Sequence, residues 1–214
     1  MLILNLLTGT DATGVSITKD KESLIAISIE GGIRQSETIF QMMKDAFNYV
    51  EYGFSDLDAV SVLKGPGSFT GLRVGMAAAK AISYSHDIPI IPVDTLKAII
   101  FESEMKSASA MMDARRGRVY FLDEIEKEPT IATVEDLKKL DAPRYLFGEN
   151  ILKYKDILKS KNYILLQRKE HYLSIKGLEK AALEVQEKDY ESYNSAILNY
   201  LKTKEEVVDK NARK

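Results

Sequence analysis

The chain has 214 residues with 45% apolar side chains, enough to bury a substantial core as one large domain or two lobes of about 100 residues each. Thirty basic residues against thirty-two acidic ones give a formal charge of −2, so no global positive field draws the chain to tRNA or to an anionic membrane. The absence of cysteine excludes disulfides, thiolate zinc sites and a cysteine nucleophile, and points to the cytoplasm.

Residues 2–8, 13–19 and 22–30 are short runs rich in Leu, Ile, Val and Thr, separated by turn-formers at Gly9, Asp11, Asp20 and Lys21. They predict a three-stranded meander. The first run reads as a buried strand rather than a signal peptide, because no A-x-A-like cleavage site follows it. Over 33–50, Ser36, Ile39, Phe40, Met43, Ala46, Phe47 and Val50 fall at spacings of three and four, the pattern of an amphipathic helix that Met42 and Tyr49 widen. Residues 58–63 (DAVSVL) and 89–93 (PIIPV) read as strands buried on both faces, with a helix over 71–85 between them.

From Ala108 onward AMMDA, RVYFL, RYLFG and YILL read as a second, weaker set of strands, with helical patterns near 149–159 and 174–188. The tail from Tyr190 joins an apolar stretch to a charged run expected to be solvated. No internal repeat or low-complexity linker is visible.

Residues 64–75 read KGPGSFTGLRVG. Gly65, Gly67 and Gly71 permit close backbone approaches, Pro66 stiffens the turn, and Ser68 or Thr70 can cap the helix that follows. Free N–H groups at such a helix start suit a phosphate or carboxylate, which makes Gly65, Gly67, Ser68, Thr70 and Arg73 a candidate anion-binding or nucleotide-binding loop. Gly-rich turns before helices are common, however, and no Gly-Lys-Ser/Thr completes a Walker A loop. Along the helix, Gly71, Gly75 and Ala79 form a small-residue stripe with Ala78 and Ser83 nearby. Either the stripe packs on the protein's own sheet, or Leu72, Met76 and Ile82 supply the core contacts and leave it free for a partner helix.

The stretch GPGSFTGLRVG, with DAVSVLK before it and MDARRGRVYF at 112–121, resembles the TsaB (YeaZ) family, relatives of the catalytic TsaD/Kae1 subunit in the actin-like ATPase superfamily. Fainter echoes lie in RQSE at 34–37 and SYNSAILNYLK at 192–202. The resemblance implies an α/β fold of two ribonuclease-H-like lobes with mixed sheets: residues 1–104, a shortened lobe over 105–189, and a C-terminal helix of about 190–205 returning to the first. It further implies a non-catalytic scaffold in the complex that installs N6-threonylcarbamoyladenosine beside the anticodon of tRNA. Its partners would be a TsaD-like transferase and a TsaE-like ATPase, with a homodimer when alone, tRNA engaged only indirectly and no membrane. Pairing through the first two helices would place Ser36, Ile39, Phe40, Met43 and Phe47 at the interface with Gly71, Gly75, Ala78, Ala79 and Ile82. No intrinsic cofactor is expected; a nucleotide (ATP or ADP) at the partner interface is the one the resemblance allows.

Two departures bear on catalysis. The superfamily carries an acidic residue at the end of strand one to hold Mg2+, and aligning GVSI (14–17) with that strand puts Leu7 there, with Asp11 displaced into the turn. Many family members have His before Ser-Glu in the first helix, where this chain has Gln35. The two histidines, His86 and His171, lack the partner four residues away that a helix-borne metal pair needs, so neither a catalytic nor a metal residue is assigned. The cluster Asp113, Arg115, Arg116 and Arg118 is either an interlobe anion-facing site or a solvated turn, and the Lys-rich stretch 153–161 reads as a solvated helix face. The alternatives to a scaffold are a small actin-fold ATPase or kinase gripping phosphate at 65–71, and a drifted free-standing homodimer.

Overall fold

The computed structural model describes residues 1–31, 34–105, 108–124, 127–137, 144–149, 151–159, 163–165 and 173–199. The first sheet contains β1 (Leu2–Leu7), β2 (Ala12–Lys19), β3 (Glu22–Glu30), β4 (Ala59–Gly65) and β5 (Ile90–Asp94) in the order β3-β2-β1-β4-β5. β1–β2 and β2–β3 are antiparallel, whereas β1–β4 and β4–β5 are parallel. Asp20 and Lys21 both take positive φ in the β2–β3 turn, as a tight hairpin matched to strand twist requires. The central strand β1 is buried along its whole length, which is why its sequence is a continuous apolar run. Its one polar residue, Asn5, donates to Ser16 Oγ and Thr18 Oγ1, each at 3.2 Å, and accepts from Ser61 Oγ at 2.6 Å. This buried network ties the three neighbouring strands together.

Alternate residues of the sheet feed two cores. Leu2, Leu4, Leu6, Val60 and Val62 face α1 (Gln35–Phe47) and α2 (Phe69–His86), whereas Ile3, Leu7, Leu63 and Val93 face the second lobe. Between the sheets lie α3 (Thr95–Ser103) and α6 (Ile175–Glu184). Although α6 follows the second sheet in sequence, it packs against α3 and the strands of the first. It therefore belongs structurally with the first lobe rather than inside an independent unit over 105–189.

The second sheet, β6 (Ala108–Asp113), β7 (Arg118–Leu122), β8 (Thr130–Thr133), β9 (Arg144–Glu149) and β10 (Tyr163–Leu165), has the order β10-β9-β6-β7-β8. β6–β7 and β7–β8 are antiparallel and β6–β9 and β9–β10 parallel, so it repeats the topology of the first sheet. The repetition has no counterpart in residue identity. Where the first lobe carries helices of 13 and 18 residues, the second has α4 (Val134–Leu137), of 4 residues, and α5 (Lys155–Lys159), of 5, which accounts for its smaller size.

The expected C-terminal helix is absent from residues 190–199; 200–205 lie outside the described residues. A single turn forms there: Ser192 N donates to Ser195 Oγ (2.9 Å), Ser195 N to Ser192 Oγ (3.3 Å) and Ala196 N to Ser192 O (2.9 Å), but it does not continue into a helix. The segment returns to the first lobe as a strap. Ile90 and Glu191 exchange backbone hydrogen bonds of 2.7 and 2.9 Å, Ala196 is fully buried, and Asn199 N donates to Lys64 O at 2.7 Å.

Candidate functional site: the α1–α2 surface and the loop before α2

Three segments meet at the start of α2. In the loop 65–68, Ser68 N donates to Gly9 O in the β1–β2 turn at 2.7 Å, and a Cβ on Gly67 would lie 2.4 Å from that same oxygen. Gly65 has φ +114° and a cis bond to Pro66, and a Cβ there would lie 2.7 Å from Asn199 O. These glycines therefore serve a close backbone approach. Ser68 caps α2 by accepting from Gly71 N at 3.4 Å. The structure brings Gly67 and Ser68 to the β1–β2 turn and Gly65 to the backbone of Asn199, while Thr70 and Arg73 stand exposed on the outer side of α2. Arg73 lies over the ring of Phe69 at 3.7 Å, which gives its cation a neighbour at a helix start that disfavours positive charge.

Gln35, at the start of α1, holds the turn. Its Oε1 accepts from Gly9 N (3.1 Å) and its Nε2 donates to Thr10 O (2.9 Å) and Ala12 O (3.3 Å). An amide has both the donor and the acceptor for this bridge. The sequence marked Gln35 as a departure without revealing the bridge. Gln35→Leu should remove the side-chain partners of Gly9 N and Thr10 O and lower stability by about 1–2 kcal/mol, read as a lower urea midpoint at unchanged slope.

Leu7 is the last residue of β1, paired with Gly14 and fully buried in the core between the sheets. The end of strand one thus presents a methyl-bearing side chain where the superfamily has a carboxylate. Asp11 lies beyond the strand, in the turn. Among the described residues no three His, Asp or Glu side chains come together to hold a metal ion.

Most of the interface that the resemblance implied is core. Ile39 and Met43 are buried, Phe47 stacks on Phe54 at 4.2 Å between centroids, and Ile82 is half-buried against the same cluster. Gly71, Gly75, Ala78 and Ala79 are also buried. A Cβ on Gly75 would lie 2.2 Å from Thr8 Oγ1 and 3.1 Å from Val62 Cγ2, and one on Gly71 would lie 2.7 Å from Gly9 Cα. The small-residue stripe therefore lets α2 sit against its own sheet. The physical reason is general: apolar residues at spacings of three and four mark the face a helix buries within its own fold.

Of that expected set Ser36 and Phe40 remain outside, joined by residues of α2 that it did not include. Ser36 and Phe40 stand on the outer face of α1; Phe69, Arg73, Ala77, Ala81 and Tyr84 stand on that of α2. Phe40 is 56% exposed, Phe69 52% and Tyr84 68%. The helices lie side by side, since Gln35 meets the space beside Gly71 at one end and Phe54 bridges Phe47 and His86 at the other. Tyr84, at the far end of α2 from Phe69, meets the Tyr193 ring edge-on at 5.0 Å between centroids. Exposed aromatic side chains on adjacent helix faces are the composition of a protein-binding surface.

The remaining candidates resolve locally. Arg115 and Arg116 are exposed and, with Gly117, take positive φ in the β6–β7 turn. Asp113 pairs with Lys153 at 2.5 Å and accepts from Tyr154 Oη at 2.8 Å. Burial raises its pKa, but these partners outweigh burial and hold it below the usual carboxylate value. Lys153 is thereby engaged in an ion pair within its own lobe; 160–161 lie outside the described residues, as does His171. His86 ends α2, with its ring 6.1 Å from that of Phe54.

The protein-family model described as TsaD, tRNA N6-adenosine threonylcarbamoyltransferase, matches residues 30–206. The chain belongs to the TsaD family. Within it, the chain is 26% identical over 186 residues to the tRNA threonylcarbamoyladenosine biosynthesis protein TsaB of Bacillus subtilis (strain 168), covering 77% of this chain and 80% of that protein. A shorter match to TsaB of Haemophilus influenzae is 34% identical over 90 residues, covering 40% and 38% of the two chains. The tRNA N6-adenosine threonylcarbamoyltransferase of Ligilactobacillus salivarius is 31% identical over 116 residues, and only 34% of its length is covered. YeaZ from Pseudomonas aeruginosa shares the fold, with a TM-score of 0.77 at 17% identity over 94% of this chain and 99% of that one. The resemblance to TsaB thus holds, as does the two-lobed α/β fold with mixed sheets. No helix among the described residues is long and apolar enough to cross a membrane.

Asp94 ends β5 and caps α3, its Oδ1 accepting from Leu96 N at 2.9 Å and Lys97 N at 3.2 Å. Burial is the largest influence and pushes its pKa from 3.8 up to about 6, despite those N–H groups and the nearby Lys64 and Lys97. The folded state therefore holds this proton more tightly than the unfolded chain, and the contribution to stability grows as pH falls through 6. Above pH 6 ionised Asp94 costs the fold up to about 3 kcal/mol, from a shift of about two units. Asp94→Asn keeps the capping oxygen, so it should raise the melting temperature at pH 8, and the gain should shrink as pH falls below 6 and vanish only below the unfolded value of 3.8.

Proposed function

We propose that this chain is a non-catalytic partner subunit in the assembly that makes N6-threonylcarbamoyladenosine in tRNA. It binds a TsaD-like transferase through the outer faces of α1 and α2, and the observation that carries this is the exposure of Phe40, Phe69 and Tyr84 on those adjacent helices. The names of its relatives supply the pathway. Leu7 at the end of β1 and the engagement of Gly9 N by Gln35 both argue against phosphate chemistry by this chain alone. In this reading the transferase moves the threonylcarbamoyl group, a TsaE-like ATPase joins the complex, and the chain works in the cytoplasm. tRNA is held mainly by the other subunits, and any nucleotide lies at the junction with the partner rather than in this chain. Without the transferase, the same aromatic surface pairs two copies of the chain.

Reconstitution tests the role. With the TsaD-like and TsaE-like proteins, threonylcarbamoyl-AMP and tRNA, omission of this chain should lower modification at least tenfold, and the chain alone should not turn over ATP. Undiminished modification without it, or ATP turnover by the chain alone, would overturn the proposal.

A further inference from the structure

The helices between the lobes run antiparallel. At one end Ser174, which caps α6, donates to Glu102 of α3 at 2.5 Å, and Lys180 pairs with Glu104. Midway, the Ala98 carbonyl lies 2.7 Å from where a Cβ on Gly177 would sit. The first turn of α3 and the last turn of α6 therefore share the opposite end, where a cavity of about 530 Å3 opens at the carboxyl ends of β4 and β5. That volume lies in the range of small-molecule sites, and the carboxyl ends of parallel strands are where α/β sheets bind ligands.

The lining is split by charge. On the β4–α3 side stand Lys64, Asp94 and Lys97; on the α6 and strap side stand Glu184, Tyr190 and Glu191. Lys188 and Asp189, adjacent and of opposite sign, also line the cavity, and Glu128 adds one further carboxylate. Among the described residues no salt bridge joins Lys64 or Lys97 to Glu184 or Glu191. Glu191 is pinned by its paired backbone hydrogen bonds to Ile90, yet its Oε2 is buried without a hydrogen-bond partner. Such an atom calls for a donor. The carbonyl end of α6 adds negative potential on that side.

We propose that this cavity binds a small zwitterion of short-peptide size, with its ammonium held by Glu191 and Glu184 and its carboxylate by Lys64 and Lys97. The site is separate from the α1–α2 surface, so the proposal stands or falls independently of partner binding.

The test is a titration of the full chain, labelled with 15N, with triglycine, N-acetyltriglycine and triglycinamide. Saturable shifts around Lys97 and Glu191 with triglycine, and binding at least tenfold weaker once either end is blocked, support the site. Lys97→Gln and Glu184→Gln, checked for an unchanged melting profile, should each weaken triglycine tenfold. Equal binding of the three peptides, no saturable binding of triglycine, or unchanged affinity in the folded variants would overturn it.

Discussion

Gly75→Leu should leave the chain largely unfolded at 37 °C. Gly75 is a close approach of α2 to the first sheet: the first side-chain carbon would lie 2.2 Å from Thr8 Oγ1 and 3.1 Å from Val62 Cγ2, well inside van der Waals contact. Neither neighbour can retreat, since Val62 and Thr8 are both fully buried. Leucine brings three further carbons, so α2 must lift from β1 and β4 or the strands must part. Overpacking by a few methylenes costs about 1–3 kcal/mol where side chains can repack, and contact against a buried strand places this case above about 4 kcal/mol. That is a large part of the stability of a domain this size. Circular dichroism melting checks the prediction: a missing cooperative transition is expected, whereas a transition within a few degrees of the parent protein would return the stripe to the surface.

Phe40→Asp combined with Phe69→Asp should do the reverse, leaving the monomer folded and removing the partner. Both rings are more than half exposed, and surface substitutions of this kind change stability by about 0.5 kcal/mol. Asp at position 69 also sits in the first turn of α2, where the helix dipole and Arg73 favour a carboxylate. In an interface, a buried aromatic anchor is worth about 2 kcal/mol or more, and a carboxylate in its place adds desolvation without a counter-charge. The pair should weaken binding to the TsaD-like subunit by about a thousandfold, readable by calorimetry, with a melting temperature near that of the parent. Undiminished affinity would place the interface elsewhere.

The first lobe was largely legible because its strands are unbroken apolar runs and its first two helices have clear spacing. β1 to β5, α1 and α2 fall within a few residues of their predicted ranges. α3 escaped notice because Thr95, Leu96, Ala98, Ile99 and Ile100 are all buried between two sheets, and a helix covered on nearly all sides has no polar face to reveal its period. β8 is a four-residue edge strand, half exposed, and too short to show alternation. The spacing of Gly71, Gly75 and Ala79 marks a close approach but carries no sign of which side the neighbour lies on. The same ambiguity sent Ile39 and Met43 to a partner instead of to their own sheet, while Phe40, one residue along, faces out. The bridge made by Gln35 and the cavity beside Asp94 depend on residues brought together from distant parts of the chain, which no local pattern encodes.

The most direct test of the central claim is size-exclusion chromatography with light scattering on the purified chain, mixed with the TsaD-like transferase from the same source. The account predicts a one-to-one heterodimer that forms with the parent chain and is lost with the Phe40→Asp, Phe69→Asp chain. Separate elution of the two parent proteins, or an unchanged complex with the doubly substituted chain, would contradict it.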